Sequence, residues 1–77
     1  MNRTEFLHAL EEILELDEGT LKGNEALVDM KEWDSIAFLS VIAMLDEQFN
    51  MIIQGDKLEQ ITKVSDLIAL VEDKLDH

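Results

Sequence analysis

The chain has no cysteine, no proline and no tyrosine, and only three glycines, one tryptophan and three phenylalanines in 77 residues. Without cysteine there is no disulfide, no thiolate metal site and no cysteine nucleophile, so any thioester chemistry needs a thiol from a cofactor. With proline absent and glycine scarce, helix is favoured throughout. Positive charge is scarce too. Six Lys and Arg face eighteen Asp and Glu, a formal net charge of −12, and the acids run from Glu5 to Asp76 instead of forming a tail. Such a surface repels phosphate backbones and anionic lipid, which argues against nucleic acid and membrane-surface partners and suits basic protein partners. No stretch approaches the ~20 apolar residues that cross a bilayer. The first ten residues, MNRTEFLHAL, lack a basic region followed by a continuous apolar run and do not read as a signal peptide. A cytoplasmic protein is expected.

Apolar residues make up 47% of the chain and charged residues 31%, a balance that folds despite its charge. The length suits one small domain, residues 1–77, with three or four short helices around one marginal core. The expected first helix starts after Thr4 as N-cap and runs to about Leu16. Phe6, Leu7, Leu10, Ile13 and Leu14 recur at helical spacing there, with Glu5, Glu11, Glu12 and Glu15 on other faces. From Asp17 to Asp34 the period is lost and Gly19 and Gly23 mark turns. A connection this long needs packing of its own, and Leu21, Leu27, Val28 and Met30 are the candidates to dip into the core, so an ordered loop beside a site is expected. A second helix opens at Asp34 or Ser35 and continues to about Asn50. Its broad apolar face comprises Ile36, Leu39, Ile42, Ala43, Leu45 and Phe49, widened by Phe38 and Val41. Residues 54–61 allow a turn or two of helix. A last helix begins near Thr62, a second candidate cap, with Val64, Leu67, Ile68, Val71 and Leu75 in its stripe. The fold class is therefore all-α, a small four-helix bundle of three principal helices and one short one.

Catalytic equipment is sparse. His8 lies among apolar positions, His77 is the last residue, and neither has sequence neighbours that make a catalytic or metal constellation. The carboxylates of ELDEG at 15–19 offer weak calcium or magnesium binding without EF-hand spacing, and no metal site is expected. No Gly-rich strand-to-helix motif is present. The chain does not read as a self-sufficient enzyme.

The segment KEWDSIAFL at 31–39 carries the one feature that stands out. Asp34 and Ser35 sit where loop becomes helix, and two readings fit them. Both are good helix starters. Alternatively Asp34 caps, and Ser35 holds its hydroxyl outward in the first turn, beside unpaired N–H groups and the positive end of the dipole, where a phosphate ester would be favoured.

Taken over nearly the full chain, the order of elements resembles the acyl carrier protein family. The resemblance rests on Asp34, Ser35 and Ile36, similar to the family's Asp-Ser-Leu motif, with LDEQFN at 45–50 and ITKVSDLIALV at 61–71. It implies that Ser35 carries 4′-phosphopantetheine, transferred from coenzyme A by a separate magnesium-dependent phosphopantetheinyl transferase, with Asp34 beside the phosphate. The cofactor's thiol would hold an acyl group as a thioester. Acyl-activating, ketosynthase or acyltransferase-type enzymes are then the partners, and a monomer is the default. An aminoacyl carrier of the peptidyl or D-alanyl type and a cofactor-free helical interaction module are the alternatives.

The chain departs from the family's pattern in three places. Ile36 replaces the usual leucine, either as a changed contact knob or as packing against the loop. Ala37 and Ser40 stand where carriers of fatty-acid synthesis show acids, and acid returns only at Asp46 and Glu47, which implies a specialised partner set. Trp33, where small or aliphatic residues are usual, is either a contact residue beside the cofactor or a loop anchor. Met44, Met51 and Ala43 fit ordinary core filling or an adaptable core that admits acyl chains.

Overall fold

A computed structural model describes residues 1–76; His77 lies outside the described residues. Four α-helices follow one another, α1 (Arg3–Ile13), α2 (Ser35–Phe49), α3 (Gly55–Glu59) and α4 (Val64–Val71), with single 3₁₀ turns at Leu27–Asp29 and Glu72–Lys74. Among the described residues there is no strand, only isolated bridges between Asn2 and Asp76 and between Ala26 and Lys63. Among the described residues no helix is long and apolar enough to cross a membrane.

The first helix starts at Arg3, two residues earlier than a Thr4 cap would place it. Asn2 is its N-cap: the Asn2 side chain accepts from the Glu5 N–H at 2.8 Å and Glu5 Oε1 accepts from the Asn2 N–H at 3.0 Å, a reciprocal capping box. It also stops at Ile13, short of Leu16. Glu15 turns left-handed at φ 58°, the Leu16 N–H donates to the Glu11 carbonyl at 2.8 Å, and the Glu15 N–H donates to that of Glu12 at 3.2 Å. These are the two bonds of a Schellman ending. With glutamate in the place usually held by glycine, the ending leaves no mark in the sequence. The second helix ends in a similar way at Asn50, left-handed at φ 52°.

One core joins all four helices. Phe6 and Leu10 of α1, Val41 and Leu45 of α2, Leu58 of α3, and Val64, Leu67 and Val71 of α4 are fully enclosed. Phe6 and Phe49 meet edge to face across α1 and α2, ring centroids 5.8 Å apart. Each such large aliphatic or aromatic side chain contributes about 1.5–3 kcal/mol relative to exposure. Leu75 is buried as expected, but past the end of α4. The residue capping α4 is Lys63, not Thr62; an ammonium cannot accept a hydrogen bond, and Asp66 Oδ2 instead accepts from the Lys63 N–H at 3.3 Å and the Thr62 hydroxyl at 3.2 Å.

The face of α2 differs most from the expectation. Ala37, Val41, Met44, Leu45 and Phe49 turn inward, whereas Ile36 is 75% and Leu39 66% exposed and Ala43 is exposed too. Positions 37, 41, 44, 45 and 49 keep 3.6-residue spacing, and 36, 39 and 43 keep it on the opposite side. A helix apolar on both sides gives no pattern that says which side is the core. Met44 is core, Met51 is half-buried against it, and Ala43 takes no part.

The 17–34 connection is ordered by its own contacts. Leu21 and Leu27 enter the core, Met30 packs half-buried against it, and Val28, expected inside, points out. Glu11, buried on α1, accepts from the Leu21 N–H through Oε2 at 2.8 Å. Arg3 donates to the Lys22 carbonyl at 3.1 Å, and Gly23, at φ 119°, leaves room for the Arg3 side chain that a Cβ would overlap. Further along, the Val64 N–H donates to the Glu25 carbonyl at 2.9 Å, fixing the connection to the start of α4.

Glu25 closes this connection on itself, accepting from the Lys22 N–H at 2.8 Å and the Gly23 N–H at 3.0 Å. Burial works to raise its pKa, but the backbone N–H groups of Gly23, Lys22, Glu25 itself and Asn24 outweigh it and hold the carboxyl below its ordinary 4.5. With the folded-state value lowered, the unfolded chain takes up the proton first as pH falls. The carboxylate's contribution is therefore complete above 4.5 and is lost as pH drops through the lowered value. The amide resonances of Lys22 and Gly23 are expected to titrate with a midpoint below 4.5, and Glu25→Gln should abolish that titration. A midpoint at or above the ordinary value would contradict the clasp.

Candidate functional site

The site is built where the connection meets α2. Asp34 takes an extended backbone, φ −111° and ψ −174°, and its Oδ1 accepts from the Ala37 N–H at 2.9 Å. Its carbonyl accepts from the Phe38 N–H at 2.9 Å. Asp34 is thus the N-cap, and Ser35 is the first helical residue. The Ser35 and Ile36 N–H groups precede any intrahelical acceptor and stay open at the positive end of the dipole. Ser35 is exposed, and its hydroxyl has no hydrogen-bond partner among the described residues.

Two open grooves flank this corner. One, of ≈ 480 Å³, is lined by Trp33, Asp34, Ser35, Phe38, Leu39 and Glu59. The other, of ≈ 300 Å³, lies toward the end of α1 and includes Ile13, Lys31, Asp34, Ile36 and Ala37. Trp33 is half-buried and leans on Phe38, ring centroids 5.8 Å apart and planes at 44°. The ring packs against the core as a loop anchor and also forms a wall of the larger groove.

Of the expected site residues, Trp33, Asp34 and Ser35 come together in the larger groove, and Ile36 lies on the other side of Ser35. Ala37 is buried at 2% exposure and belongs to the core, so it is not available as a recognition residue. Ser40 is half-buried, Asp46 and Glu47 are exposed farther along α2, and none of these three lines either groove. Between Ser35 and Leu45 the helix carries no acid, while Ile36 and Leu39 stand out to solvent. The sequence reading missed Phe38 and Leu39 as groove residues, because it assigned them to the apolar face, and missed Glu59 altogether. Only the packing of α3 against α2 brings Glu59 there.

Elsewhere the chemistry is thin. His8 Nε2 lies 3.5 Å from Glu18 Oε1, and both residues are substantially exposed. Among the described residues no group of three or more His, Asp or Glu side chains is arranged to hold a metal ion. Among the described residues no base is hydrogen-bonded to the Ser35 hydroxyl.

The family model of the phosphopantetheine attachment site matches residues 4–71 of the 77. No curated protein and no solved structure matches the chain.

Proposed function

The chain belongs to the phosphopantetheine attachment family, whose prosthetic group is a covalently bound 4′-phosphopantetheine, and from that premise we propose that Ser35 is its attachment point in an acyl carrier protein. The observation that carries this reading is the exposed, unpartnered Ser35 hydroxyl on the first turn of a helix that another residue caps. A phosphate diester on Ser35 Oγ would lie beside the open Ser35 and Ile36 N–H groups, which supply hydrogen bonds and favourable dipole potential to an anion. Asp34 keeps its cap through Oδ1 and leaves Oδ2 for the magnesium-dependent transferase that loads the serine. The residues present therefore fit the group. When bound, it supplies a thiol on a long arm, the function the cysteine-free chain lacks, and that thiol holds cargo as a thioester.

The chain itself performs no catalysis in this reading, since Ser35 has no base and the cargo's chemistry belongs to partner enzymes. Those partners are acyl-activating, ketosynthase or acyltransferase-type enzymes of a specialised pathway. The acid-free, apolar outward side of α2, Ile36 and Leu39, supports a partner set other than one steered by charge alone. A cytoplasmic monomer completes the reading.

A second reading, an aminoacyl carrier, is favoured by one observation: the Glu59 carboxylate shares the larger groove with the Trp33 ring, a setting that also suits an ammonium group. Supplying the phosphopantetheinylated protein in parallel with acyl-activating and aminoacyl-activating enzymes separates the two. An acyl adduct released by hydroxylamine is expected. Loading with amino acids alone would transfer the assignment to the aminoacyl class.

A further inference from the structure

The larger groove holds a feature that attachment at Ser35 does not require. Leu39 is 66% exposed beside Ser35 although the core has no need of it. Trp33 and Phe38 form a continuous tilted surface next to it. The Phe38 ring also reaches α3, with Cε2 3.7 Å from where a Cβ on Gly55 would stand. Phe38 therefore covers the seam between α2 and α3 at the end nearest Ser35. Behind it Val41, Leu45 and Leu58 are fully enclosed. The groove itself is open, and its ≈ 480 Å³ falls in the ~300–1,000 Å³ range of small-molecule sites.

Resting on Ser35 as the attachment point, we propose that the prosthetic arm lies outside the bundle across the Trp33, Phe38 and Leu39 surface, with Glu59 accepting its donors, and that cargo does not enter between α2 and α3. Ser35 lines the groove, so an arm bonded to Oγ begins inside it. The arm's chemistry fits the lining: its geminal methyl groups match two aromatic rings and a leucine, and its hydroxyl and amide N–H groups match a carboxylate acceptor. Trp33 and Leu39 are then positioning residues for the arm.

Trp33 is the only tryptophan, so its fluorescence reports this groove alone. The experiment compares acrylamide quenching of the unmodified protein with that of the phosphopantetheinylated protein, whose loading is checked by intact mass. Covering one face of the indole is expected to lower the quenching constant about twofold. In the purified modified forms of Leu39→Ser and Glu59→Gln this protection should shrink. With an octanoyl cargo the methyl resonances of Leu45 and Leu58 should stay where they are in the unmodified protein. Unchanged quenching on a fully modified protein, or shifted Leu45 and Leu58 methyls, would overturn the arm's placement while leaving Ser35 as the attachment point. Absence of any adduct on folded protein would overturn both.

Discussion

Ser35→Ala is expected to fold as well as the parent protein and to take up no phosphopantetheine. A serine at a helix start is commonly explained as a cap, and loss of a true cap costs about 0.5–2 kcal/mol. Here that explanation is taken by Asp34, whose Oδ1 holds the Ala37 N–H at 2.9 Å. Ser35 is one residue further on, exposed, with no hydrogen bond from its hydroxyl to lose. Alanine is the better helix former by about 0.5 kcal/mol, so the melting temperature should hold or rise slightly. Thermal unfolding by circular dichroism beside intact mass checks both halves. A variant that unfolds several degrees lower would return Ser35 to a structural role, and a variant still modified would remove it as the site.

The second large effect separates the two sides of α2. Leu45→Ala should destabilise by about 2–5 kcal/mol, because the side chain is fully enclosed and its removal leaves a cavity as well as a lost transfer term. Against a total of about 4–12 kcal/mol for a chain of this length, that lowers the melting temperature by roughly 8–40 °C. Leu39→Ala should change stability by less than about 0.5 kcal/mol, since Leu39 is two-thirds exposed. Both leucines stood in the same expected apolar face, so equal losses from the two substitutions would reinstate that single face and contradict the inward and outward sides described here.

The pair also marks how far the sequence could be read. Helix order, the ordered connection and a one-turn α3 followed from apolar spacing, from the glycines and from the shortness of residues 54–61. Spacing failed on α2 because apolar residues lie on both of its sides. The side that packs is decided by core residues brought from other helices, as Phe6 is brought against Phe49. The end of α1 was missed because a Schellman turn there uses Glu15 at φ 58°, a residue that gives no warning of a left-handed backbone. Its start was missed because Asn2 and Thr4 are both acceptable caps, and only Glu5 reaching back to the Asn2 N–H decides between them.

At the candidate site, the helix start at Asp34 and Ser35 was legible because capping chemistry is local. Ala37 was misjudged for the same reason as Leu39: its neighbours in sequence do not tell which way position 37 points. The groove was not legible at all. It requires Trp33 to lean on Phe38 across five positions and α3 to bring Glu59 alongside, contacts set by tertiary packing that leave no periodic trace.

The most direct test of the central claim is intact mass after incubation with coenzyme A, magnesium and a broad-specificity phosphopantetheinyl transferase, followed by fragmentation to locate the adduct. A single phosphopantetheine on Ser35 is predicted. No adduct on folded protein while a control carrier is modified, or an adduct on another serine such as Ser40 or Ser65, would contradict it.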